Sequence, residues 1–137
     1  DGKLKSFAKS LVGHGVTAHF EAEIISEAQG CEKPDAQMFL AALAALGLDI
    51  ADVAETVMVG NHLGRDVKGA NDLGIISIWQ NWSPRRHKVP CDPSELPDYT
   101  IFAPGELPTL LAEIECAMGR RARNPALADP IVQAANR

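Results

Sequence analysis

Two short apolar runs, "TVMVG" at 56–60 and "IISIW" at 75–79, constrain this chain more than any other feature. Both are rich in β-branched residues and neither alternates with polar positions, the pattern of parallel strands covered on both faces. Between them lies "RDVKGANDLG", polar and rich in small residues, whose closing Gly74 suits a helix end. A strand, a short helix and a second strand with tight connections form a right-handed parallel crossover. The expected class is therefore α/β.

The remaining elements extend that order on both sides. "KLKSFAKSLVGHG" places Leu4, Phe7, Ala8 and Leu11 at helical spacing, predicting a helix over 3–12. The apolar pair Ile24 and Ile25, flanked by polar residues, predicts a brief buried strand. "PDAQMFLAALAALG" enters at Pro34 and Asp35 and leaves at Gly47, a helix by its caps and its body. "YTIF" at 99–102 predicts a last strand, and "GELPTLLAEIECAM" a closing helix. From Gly119 onward two prolines and the lack of an apolar face predict a loose tail. Residues 81–97 carry Pro84, Pro90, Pro93 and Pro97, a long irregular connection of the kind that can shape an active-site rim.

Composition narrows the function classes. Thirteen basic against eighteen acidic residues give a net charge of −5, which argues against coating a polyanion such as nucleic acid but not against a small phosphorylated substrate. Cys31, Cys91 and Cys116 are odd in number and match no zinc spacing, so reduced thiols and a cytoplasmic setting are expected. No run approaches the roughly 20 apolar residues needed to cross a bilayer. Oligomeric state is not encoded in any of this.

In open parallel sheets, ligands bind beyond the carboxyl ends of the strands. Two loops fall there, "GCEKPD" and "GNHLGRD". Lys33, immediately before a helix start, can contact a phosphate or carboxylate, and can equally be a solvated loop lysine. Asp66 can help hold a hard cation such as Mg²⁺, which takes oxygen ligands, or can simply favour the dipole of the next helix. His14, His19, His62 and His87 are scattered. "SPRRHK" at 83–88 can meet a substrate phosphate or remain a solvated basic loop, while Trp79 and Trp82 can cover a pocket or pack.

Taken in order, "EKPDAQMF" and "VMVGNHLGRDVKGANDLGI" resemble the third and fourth motifs of the haloacid dehalogenase superfamily of phosphatases and related hydrolases. The resemblance covers roughly residues 1–118, with 119–137 left as the tail. It implies a Rossmann-like three-layer α/β/α parallel sheet, with Lys33 as the lysine that steadies nucleophile and phosphoryl group. Asp66 falls on the second acidic position of a Mg²⁺ loop. Asn61 falls on the first, where an amide oxygen can still ligate but brings no charge.

The same resemblance implies an Asp-x-Asp pair whose first member attacks phosphorus, and no such pair occurs in the 137 residues. The expectation is an incomplete core, lacking the central nucleophile strand and the cap, in which the Ile24–Ile25 strand has no family partner and the isolated chain is unstable. The implied activity is Mg²⁺-dependent phosphomonoester hydrolysis through an aspartyl-phosphate whose nucleophile is not in this chain, so that these residues alone are expected to be inactive. A non-catalytic binding module and, more weakly, a 2-haloacid dehalogenase are the alternatives.

Overall fold

A computed structural model describes residues 2–123 and divides the chain into two compact units, 1–101 and 102–137. In the first unit, β1 (Val57–Gly60), β2 (Ile76–Gln80) and β3 (Tyr99–Ile101) form one parallel sheet in the order β1-β2-β3. Val57 faces Ile76 and Gly60 faces Trp79, while Ile78 faces Tyr99 and Gln80 faces Ile101. The three strands expected from their apolar runs are all present. The sheet and its helices belong to the Rossmann-like α/β class.

Before the sheet come α1 (Leu4–His14), α2 (Ser26–Gln29) and α3 (Ala36–Ala45). Gly15 closes α1 in the left-handed region at φ 66°, a conformation that costs glycine little. Asp35 caps α3 by accepting a hydrogen bond from the Gln37 amide at 2.9 Å. The expected strand at Ile24–Ile25 is not formed. Ile25 has extended backbone, φ −119° and ψ 129°, but its carbonyl accepts from the Ala28 and Gln29 amides and so starts α2. An extended dipeptide without a ladder is not a strand, and no strand flanks the outer side of β1 among the described residues.

After β1 the chain enters a π-helical turn, Leu63–Val67, that runs directly into α4 (Lys68–Leu73). Met38, Phe39, Ala70 and Ile75 form one buried cluster, and Leu63, Val67 and Trp79 a second. The first depends on Gly69: a Cβ there would lie 2.4 Å from Phe39 Cε2 and 3.2 Å from Pro34 Cα. Glycine lets α4 approach α3 closely enough to bring the start of α3 beside the loop after β1.

The connection 81–97 is tied down at several points. Asn81 donates from its amide to the Ile101 carbonyl at 2.8 Å. Asn71 donates to the carbonyls of Ser94 and Leu96, and Lys68 to the Ser94 hydroxyl. Ser77, fully buried on β2, is joined through its amide and hydroxyl to Asp98. In the second unit, α5 (Leu107–Arg123) begins after a turn in which Glu106 accepts from the Phe102 and Ala103 amides. The helix continues past Gly119, where the tail was expected to begin, and the rest of that tail, 124–137, lies outside the described residues.

Candidate functional site

The loop that follows β1 turns back on itself so that Asp66 lies over Gly60. A Cβ at Gly60 would fall 2.3 Å from Asp66 Cβ and 2.4 Å from its Oδ2, contacts that no real side chain makes. The π-helical turn produces this placement, with the amides of Asp66 and Val67 both directed at the His62 carbonyl, at 2.8 and 3.4 Å. Asp66 Oδ2 in turn accepts from the His62 amide at 3.1 Å. The carboxylate is thus buried and fixed from its own loop.

Lys33 arrives from the other side. The Lys33–Pro34 peptide is cis, and Lys33 Nζ donates to Asp66 Oδ1 at 2.5 Å, a charge-assisted pair in which the acid is the more buried partner. Beside it Arg65 donates from Nε to the Lys33 carbonyl at 3.2 Å and pairs with Glu32 at 2.5 Å. The structure therefore brings together Lys33 and Asp66, two of the three residues singled out in the sequence. Asn61 directly follows β1 on the same loop, and its carbonyl accepts from the Trp79 indole at 3.4 Å.

Arg65 and Glu32 were not anticipated, although a signal existed. "EK" at 32–33 and "RD" at 65–66 are adjacent pairs of opposite order, so two such segments can exchange two ion pairs at once. Trp79 is buried under the loop, whereas Trp82 is largely exposed. The Ser94 hydroxyl, then the Ser94 amide, hold the Asp92 carboxyl below the ordinary carboxylate range.

Whether these side chains suit Mg²⁺ follows from their donor chemistry. Asn61 and Asp66 offer oxygen only, and the Lys33 and His62 contacts leave the Asp66 carboxylate further acceptor capacity. Mg²⁺ binds through one or two carboxylates plus waters and substrate phosphate, so the donor types fit. No group of three or more acidic, histidine or cysteine side chains suited to a metal occurs among the described residues. No described helix is long and apolar enough to cross a membrane.

A lysine and a buried aspartate thus converge beyond the end of one strand of a parallel α/β sheet, where such sheets bind ligands. Residues 30–80, which contain both motifs, match the HAD-hydrolase-like family. A glyceraldehyde 3-phosphate phosphatase of Methanopyrus kandleri is 30% identical over 106 residues, which are 77% of this chain and 44% of the relative. A HAD phosphatase from Thermococcus onnurineus superimposes with a TM-score of 0.66 at 29% identity, covering 80% of this chain and 46% of that one. A 2-haloacid dehalogenase from Pseudomonas syringae does so with a TM-score of 0.64 at 32% identity, covering 75% and 42%. The chain belongs to the haloacid dehalogenase superfamily of hydrolases. It spans less than half the length of these relatives.

Proposed function

We propose that this chain carries the phosphoryl-steadying and metal-side part of a phosphomonoester hydrolase site, acting on a small phosphorylated substrate. The observation that supports it is the Lys33–Asp66 pair, held over Gly60 at the carboxyl end of β1. In this reading Asp66 positions the Lys33 ammonium, and that ammonium offsets the negative charge of the phosphoryl oxygens as the bond to phosphorus changes. Arg65, through the Lys33 carbonyl and Glu32, holds the lysine's backbone in place.

Asn61 and Asp66 would hold Mg²⁺, which when bound supplies further neutralisation of phosphoryl charge. The reaction would run through an aspartyl-phosphate, and the Asp-x-Asp pair that such chemistry needs is not among these 137 residues. The odd number of cysteines, Cys31, Cys91 and Cys116, accords with a reducing, cytoplasmic setting.

A second reading rests on Asn61, a neutral amide on the metal side, and on the likeness to a dehalogenase. Parallel assays of a longer form, in which these residues are joined to the Asp-x-Asp segment that such chemistry needs, separate the two: phosphate release from small monoesters that rises with Mg²⁺ supports the phosphatase. Halide release from a 2-haloacid, independent of Mg²⁺ and without phosphate release, replaces it with the dehalogenase. No release of either product overturns both in favour of a binding module.

A further inference from the structure

The basic stretch 83–88 lies in a long segment without an acid, close to the site. Residues 73–91 contain Arg85, Arg86 and Lys88 and no carboxylate, within a chain of net charge −5. The cations nearer the loop after β1 are each matched by an acid: Lys33 by Asp66, Arg65 by Glu32 and Lys68 by Asp72. Arg85, Arg86 and Lys88 have no such partner among the described residues.

Lys88 is nonetheless oriented. Its ammonium lies 5.7 Å from the centroid of the Trp79 ring and donates to Asn81 Oδ1. Trp79 is buried and is joined by its indole N–H to the Asn61 carbonyl, so Lys88 borders the loop that carries Asn61 and Asp66. An aromatic face and an amide oxygen hold an ammonium in place without cancelling its charge. The segment's far end is equally fixed, since the Cys91 amide donates to buried Glu95, whose other oxygen would lie 2.9 Å from a Cβ at Gly64.

We propose that Lys88 is a second anion anchor at the rim of the site, and that the substrate is a small phosphomonoester carrying a second anionic group. This rests on the phosphatase reading above, with the phosphoryl group at Lys33 and the second anion at Lys88. Arg85 and Arg86 add long-range attraction for such a substrate.

The test is equilibrium binding followed by Trp79 fluorescence in a Trp82→Phe background, which leaves one indole as reporter. The probes are ethyl phosphate, phosphoglycolate and ethylene glycol bisphosphate, against the parent, Lys88→Gln and Lys88→Arg. At least one doubly anionic probe binds the parent about tenfold more tightly than ethyl phosphate, as one charge-assisted contact provides. Lys88→Gln removes that advantage with ethyl phosphate unchanged, and Lys88→Arg retains most of it. Equal affinity for all three probes in the parent, equal weakening of all by Lys88→Gln, or no binding of any overturns the anchor. Binding needs no turnover, so a protein that discriminates the probes yet hydrolyses no monoester when joined to the Asp-x-Asp segment keeps the anchor and loses the phosphatase reading.

Discussion

Gly60→Ala is the substitution whose consequence the geometry fixes most tightly. The added methyl would sit 2.3 Å from Asp66 Cβ and 2.4 Å from Asp66 Cγ, so about 1 Å must open to reach ordinary contact. The atoms it meets are the root of a side chain, not a flexible tip, so the π-helical turn itself must move. Overpacking of this kind costs about 1–3 kcal/mol, and displacing a buried acid from its lysine adds to it. A total of about 2–4 kcal/mol lowers Tm by roughly 6–16 °C for a chain of this size. The control is Gly13→Ala, where nothing lies within 4 Å of the new methyl inside α1, and stability is held or raised by up to about 1 kcal/mol. Thermal unfolding of both variants by circular dichroism makes the comparison. A Gly60→Ala protein melting within about a degree of the parent would refute the packing argument.

Asn61→Asp adds a carboxylate on the metal side of the loop, and calorimetric titration shows Mg²⁺ binding tightened by about tenfold; unchanged affinity removes Asn61 from the metal side. The Asp92 carboxyl, lowered chiefly by the Ser94 hydroxyl, titrates below the ordinary value of 3.8. The sign follows: its contribution to the 93–95 turn is complete above the unfolded-state pKa and is lost as pH falls through the folded one. Carbon-detected NMR of the Asp92 carboxyl from pH 6 to 2 checks this, and an ordinary or raised midpoint contradicts it.

What the sequence made legible was what depends on local pattern. β1, β2 and β3 follow from unalternating β-branched runs, and α3 from Asp35 at its start. Lys33 and Asp66 were visible because each sits next to a helix start after an apolar segment. The Ile24–Ile25 strand failed because a strand needs a ladder, which no local pattern supplies, and the Ile25 carbonyl had a helix turn within reach. The folding of Asp66 over Gly60 was hidden because it depends on a π-helical turn. Its extra residue per turn is set by the His62 carbonyl and not by any residue's propensity. Arg65 with Glu32 could have been read from the crossed charge doublets.

The central claim is that Lys33, held by Asp66, steadies a phosphoryl group. Its most direct test is equilibrium binding of ethyl phosphate by the parent and by Lys33→Ala, with circular dichroism of both showing the variant folded. The account predicts binding by the parent and a weakening of at least about tenfold in the folded variant, the scale of losing one charge-assisted contact. Folded Lys33→Ala that binds ethyl phosphate as tightly as the parent contradicts it.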